Sequence, residues 1–132
     1  GGFGNAGQTC AGVERVYVVR EVYPDFLARL GALAEQGVSA EVIDAYSVKP
    51  LDEATILASA AKTGRVVTCE EHNVNGGLGS IVASVLARHN PCPMRMVGTQ
   101  DVFGTSGELG ELLVKYGCDA DAIVKAAKEL LA

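Results

Sequence analysis

Short β-branched segments alternate with segments of helical periodicity along this chain of 132 residues. A β-branched run reads as a strand, and apolar residues three or four apart read as one face of a helix. Strand and helix alternating at this length give β-α-β units, whose strands lie parallel with helices on both faces. Four segments are predicted strands, at residues 13–20, 38–46, 65–70 and 93–98.

Predicted helices fill the intervals between these strands. They begin at Pro24 and at residues 52, 79, 108 and 119, where Asp52 and Asp119 are candidate N-caps. The expected buried stripes are Ile56, Leu57, Ala60 and Ala61 in one helix and Ile123, Val124, Ala127, Leu130 and Leu131 in the last. The chain is thus predicted to be a single α/β domain over residues 1–132, a three-layer α/β/α arrangement with a mostly parallel (mixed) sheet of four to five strands.

Composition excludes several kinds of partner. Eleven basic and sixteen acidic residues give a net charge of −5, and no Lys/Arg run is present, so nucleic acid is not expected as a partner. No apolar run reaches the length of about 20 residues that a membrane helix needs. The cysteines Cys10, Cys69, Cys92 and Cys118 form no C-x-x-C pair, so we expect no metal site and free thiols in a reducing cytoplasm.

A glycine-rich corner follows the third predicted strand. It contains the candidate site residues Glu70, Glu71, His72, Asn73, Gly76, Gly77, Gly79 and Ser80. The sharp strand-to-helix turn needs glycine, and amide groups at the start of the following helix could hold an anion or a carboxylate. Two interpretations stay open: a site for a small anion or nucleotide, or a corner whose polar residues meet a neighbouring domain.

Most of the chain, from about residue 35 to 132, resembles the C-terminal domain of the transketolase family. The resemblance rests on Lys49-Pro-Leu-Asp52, Thr68-x-Glu-Glu-His72, Gly76-Gly-Leu-Gly-Ser80, Gly98, Asp101 to Phe103 and Ser106-Gly107. It implies a structural or assembly role, as a homodimer or with other domains of a transketolase-like enzyme. It also implies that thiamine diphosphate and its Mg²⁺ sit in domains absent here, so no bound cofactor and no activity of the chain alone are expected.

The first 34 residues show a different resemblance. Asn5-Ala-Gly-Gln-Thr-Cys10, with the strand and helix that follow, is similar to the nucleophile region of the aldehyde dehydrogenase family. The resemblance implies that Cys10 is the attacking thiol, yet that family's general base, oxyanion donor and nucleotide-binding domain have no counterpart here. We therefore expect an idle thiol in an engineered or recombined chimera, with residual esterase- or aldehyde-type thiol chemistry at Cys10 as the alternative.

Overall fold

A computed structural model of the chain describes residue 38 and residues 40–131. The predicted strand at residues 13–20, the helix predicted from Pro24, and Cys10 lie outside the described residues. The described part contains, in chain order, α1 Glu53–Thr63, β1 Val66–Asn73, α2 Leu78–His89, β2 Met94–Thr99, α3 Leu109–Lys115 and α4 Ala120–Leu131.

The two strands of the described part form a parallel pair. Val66 lies opposite Met94, and Thr68 lies opposite Met96. The backbone ladder extends past β1, where the Val74 N–H donates to the Thr99 carbonyl at 3.1 Å. Because parallel strands end at the same edge, the turn after β1 and the loop after β2 emerge side by side.

Helices cover both faces of this pair. Successive side chains of a strand point to opposite faces, and Thr68 faces α2 while Cys69 faces the start of α4. On the α4 side, Arg65 donates to the Leu130 carbonyl at 2.6 Å, and Arg95 pairs with Glu129 at 3.4 Å. The predicted α/β fold with a parallel sheet between helical layers is therefore confirmed within the described ranges.

The densest packing lies where α1 and α2 meet on the sheet. Its buried members are Ile56, Ala60, Leu78, Val82 and Leu86, with partly buried neighbours that include Val66 and Met94. Fully burying one such aliphatic side chain contributes about 1.5–3 kcal/mol, so this cluster is the main source of stability in the described part. Among the described residues, no helix is both long enough and apolar enough to cross a membrane.

Two features differ from the sequence prediction. Residues 40–46 are neither strand nor helix, and Val42 and Tyr46 are 60% and 63% exposed. A strand is defined by backbone hydrogen bonds to a neighbouring strand. In the described part, β1 and β2 pair with each other, and residues 40–46 pair with neither of them.

The predicted buried stripes are also too wide. Ala61 is exposed and Leu131 is 48% exposed, while Ala126, which we did not place in the stripe, is the buried residue of α4. A helix lying on a sheet buries a narrow line of contact, and the residues on either side of that line are covered only in part.

Both ends of α1 are capped as the sequence indicates. Asp52 accepts hydrogen bonds from the Thr55 amide at 3.1 Å and from the Thr55 hydroxyl at 2.7 Å. Gly64 ends the helix with φ +70°, and its N–H donates to the Ala60 carbonyl at 2.8 Å. The left-handed conformation suits glycine, which lacks a Cβ.

We expect the Asp52 cap to make α1 stability depend on pH. The Thr55 hydroxyl, followed by the Thr55 amide, lowers the pKa of Asp52 below its ordinary value. A lowered folded-state pKa means that the stabilisation is present above the unfolded pKa of about 3.9 and is lost as pH falls through the folded pKa. Thermal unfolding from pH 7 to pH 2 should show Asp52→Ala with a lower Tm at neutral pH and no difference from the parent at the acid end.

Asp52→Asn is the matched control, because asparagine caps helices as well as aspartate does but has no charge to lose. It should keep most of the stability at neutral pH. A constant Tm difference between Asp52→Ala and the parent at every pH would contradict the assignment.

Candidate functional site

The glycine-rich corner is built around one buried carboxylate. Glu70, near the end of β1, is 5% exposed, and its two oxygens accept from the first amides of α2. The Leu78 N–H lies 2.7 Å from Oε2, and the Gly79 N–H lies 2.8 Å from Oε1. A helix begins with unpaired N–H groups and the positive end of its dipole, so a carboxylate stabilises this position twice over.

Three glycines allow close approach around this corner, two of them beside Glu70. A Cβ on Gly77 would meet the Glu70 carboxylate and lie 2.6 Å from the Asn73 carbonyl oxygen. A Cβ on Gly79 would lie 2.9 Å from Met96 and from the Thr68 hydroxyl, and one on Gly98 would lie 2.9 Å from the backbone of β1 and 3.1 Å from Glu70. The glycines are therefore required by close approach.

A second set of hydrogen bonds fixes the turn itself. Ser80 donates through its hydroxyl to the Val74 carbonyl at 2.6 Å and accepts from the Gly76 N–H at 3.0 Å. Gly76 has φ +86°, a conformation that side chains rarely adopt. The predicted site residues Gly76 and Ser80 thus hold the turn in shape.

The side chain of Asn73 joins the turn to the loop after β2. Its amide nitrogen donates to Asp101 at 2.9 Å, and its oxygen accepts from the Asn75 N–H at 2.8 Å. Asp101 has φ +56°. Neither Asp101 nor Gly98 was among the site residues predicted from the sequence. The sequence could have indicated both residues, because each lies at the carboxyl end of β2, and parallel strands bring their carboxyl ends to the same edge of the sheet.

The structure separates the two adjacent glutamates of the predicted site. Glu70 is buried beneath α2, whereas Glu71 points to the opposite face, is largely solvent-accessible, and has its pKa raised by partial burial. His72 returns to the Glu70 side of the strand, where its Nδ1 lies 2.9 Å from the Asn73 carbonyl oxygen. Seven of the eight predicted residues make contacts at the corner, and Glu71 stands apart from them.

This arrangement does not fit the diphosphate of thiamine diphosphate. The Leu78 and Gly79 amides that would face a phosphate are used by Glu70, whose negative charge repels an anion. Within the described ranges, no three His, Cys, Asp or Glu side chains are placed to hold a metal ion. The Leu78 and Gly79 amides are therefore occupied by Glu70 and are not free for a small anion.

Cys69 lies at the middle of β1 on the side opposite Glu70. Burial, then the neighbouring Cys118, raises the pKa of the Cys69 thiol to about 12. Burial likewise raises the pKa of Cys118. Because the thiolate is the nucleophile, these thiols are unsuited to covalent catalysis at neutral pH.

We expect Glu70→Gln to reduce stability by about 1–3 kcal/mol, because the new NH₂ group faces a backbone N–H and leaves a buried donor unpaired. Glu71→Gln is a matched control on the same strand, and it should change stability by less than about 0.5 kcal/mol. Urea unfolding followed by circular dichroism measures both. Equal losses in the two variants would contradict the role given to Glu70.

Comparison with known proteins identifies the family of this chain. The family model "Transketolase, C-terminal domain" matches residues 13–123. The 6-deoxy-6-sulfo-D-fructose transketolase subunit SqwH of a Clostridium species is 49% identical over 98 residues, which are 74% of this chain and 30% of that protein. One of the subunits of the apulose-4-phosphate transketolase of Phocaeicola vulgatus is 41% identical over 110 residues, which are 83% of this chain and 35% of that protein.

A solved structure agrees with these matches. It is described as a split gene transketolase, an inactive beta4 tetramer, and it superposes with a TM-score of 0.76 at 44% identity. The match covers 82% of this chain and 35% of that one. The chain therefore spans about a third of the length of these relatives.

The comparisons do not support an aldehyde dehydrogenase segment or a chimera. The transketolase match begins at residue 13 and runs through residues 13–34, which were predicted to belong to the other family. Both kinds of segment begin with a strand followed by a helix, so the local pattern of apolar residues does not distinguish them.

The matched region is the C-terminal domain, which agrees with the expectation that thiamine diphosphate belongs to other domains. The chain belongs to the transketolase family, in which it corresponds to the C-terminal domain.

Proposed function

We propose that this chain acts as an assembly domain of a thiamine-diphosphate-dependent, transketolase-like enzyme. In this proposal it has no activity alone and works by packing against the domains that bind the cofactor. The observation that supports the proposal is the Glu70 cap, since a side chain of the protein itself occupies the Leu78 and Gly79 amides that an anionic ligand would use.

The relatives support this role. Two of them are named as subunits, and the solved relative is named as a product of a split gene. A domain that is about a third of such a protein needs a partner surface to complete the enzyme. We propose that the partner is the cofactor-binding part of the enzyme, either on another subunit or elsewhere in the polypeptide.

A homodimer is the second assembly that we propose from the family resemblance. The solved relative is described as a beta4 tetramer, so association between copies has a precedent in that protein. A reducing, cytoplasmic setting also remains a proposal. Its support is that the described cysteines, Cys69, Cys92 and Cys118, are free.

Reconstitution tests the assembly role. The purified chain is mixed with the cofactor-binding domains of the source organism's enzyme, supplied as a separate polypeptide. Sedimentation velocity should show a complex, and thiamine-diphosphate-dependent turnover of a ketose phosphate should require both components. Calorimetric titration of the isolated chain with thiamine diphosphate should show no binding. Turnover or cofactor binding by the chain alone would refute the proposal.

Residue-resolved alkylation tests the alternative of thiol chemistry at Cys10. Iodoacetamide reacts with the thiolate, so Cys69, with a pKa of about 12, should react at pH 8 at least about 100-fold more slowly in native protein than in urea. Cys10 lies outside the described residues, and we predict an ordinary rate for it. A Cys10 that reacts faster than a free thiol, with an apparent pKa well below about 8.5, would favour the alternative.

A further inference from the structure

One segment of the described chain contributes little to the fold. Residues 101–110 follow β2 and are all exposed, and they include Val102 at 58% exposure and a fully exposed Phe103. Leaving a whole aromatic ring in water forgoes the roughly 1.5–3 kcal/mol that its burial contributes. Surface aromatics of this kind are enriched at the centres of protein interfaces.

Contacts hold the first half of this segment, which we name the Phe103 loop (residues 100–108). At its start, Asp101 accepts from the Asn73 side chain at 2.9 Å. Further along, the Tyr116 hydroxyl donates to the Phe103 carbonyl at 3.3 Å and lies 3.0 Å from the Thr105 hydroxyl. Lys115 also donates to Thr105, at 2.9 Å. The loop therefore presents Phe103 from a defined position, which lowers the entropy lost on binding.

Charge around the loop indicates the chemistry of its partner. Residues 101–111 contain three carboxylates, on Asp101, Glu108 and Glu111, against one basic side chain that reaches the loop, that of Lys115 on Thr105. An apolar centre with an acidic surround is complementary to an apolar pocket with Lys or Arg on its rim.

A second copy of the chain is a poor match for this loop. In a two-fold contact the same patch faces itself, which would bring the three carboxylates of each copy together. Several basic side chains elsewhere on the described part are already engaged, since Lys62, Arg88 and Arg95 pair with carboxylates of their own chain. The whole chain carries a charge of −5.

We propose that the Phe103 loop is the anchor by which this domain docks on the cofactor-binding part of the transketolase-like enzyme, with Phe103 in an apolar pocket that has a basic rim. This inference rests on the proposed function and names the surface that performs it. Phe103 supplies most of the affinity, and the surrounding carboxylates accelerate association and set its orientation.

The test uses the full chain and the separate cofactor-binding polypeptide described above. The dissociation constant is measured by calorimetry for the parent, Phe103→Ala and Tyr46→Ala. Tyr46 is a matched control, because it is an exposed aromatic (63%) that lies before α1, outside the loop. We expect Phe103→Ala to weaken binding about 30-fold or more and Tyr46→Ala to change it less than about 3-fold. Since the Phe103 ring is fully exposed, the Tm of Phe103→Ala should equal that of the parent.

Stopped-flow association supplies the second readout. Glu108 makes no side-chain cap bond to α3, so Glu108→Gln leaves the fold intact. It should slow association at low ionic strength and flatten the dependence of the association rate on salt.

No effect of either loop substitution on a complex that the parent forms would overturn the inference and leave the proposed function standing. Absence of binding by the parent would instead overturn the proposed function and this inference with it. A contact of the loop with a second copy, shown by self-association that Phe103→Ala abolishes, would overturn the choice of partner.

Discussion

A single buried carboxylate organises the carboxyl edge of this domain. Glu70 projects from β1 and pairs with the first two amides of α2, so that the strand and the helix are joined by charge-assisted hydrogen bonds as well as by the chain. The Glu70 side chain fits because Gly77 and Gly98 have no Cβ to place against it, and Gly79 lets α2 approach Thr68 and Met96 of the sheet. The position of α2 depends on this contact, and the α1–α2–β1 core depends on the position of α2.

The contact between Glu70 and α2 also bears on the interpretation of the glycine-rich corner. Glycines before a helix are typical of sites that bind phosphate, and the sequence alone leaves that interpretation open. The structure fills the position with a side chain of the protein. The first two amides of α2 are therefore occupied without a ligand, which is compatible with the packing role that we propose. The docking surface that we propose lies on the neighbouring loop, which Asn73 joins to the corner through its hydrogen bond to Asp101.

Much of the local structure is determined by residues that hydrogen-bond to neighbours a few positions away in the sequence. The α1 helix begins directly after Asp52, its predicted N-cap, and the starts of α2, α3 and α4 and both bounds of β2 differ from prediction by one residue. Caps and turns are local interactions, and sequence reasoning describes them well. The prediction was weaker for segments whose structure depends on pairing with a segment distant in the sequence. Residues 40–46 have the composition of a strand without its pairing, and β1 extends to Asn73, three residues beyond its predicted end.

The sequence by itself determined the alternation of elements, the capping residues, the glycines of the corner and the family of the domain. Each of these depends on residue type and spacing along the chain. Only the tertiary structure decided that Glu70 caps α2 while Glu71 faces away, because both faces of β1 are covered and the apolar pattern does not indicate which face holds α2. It also decided that Phe103 is exposed although it lies within an apolar dipeptide, since no described element packs over that loop.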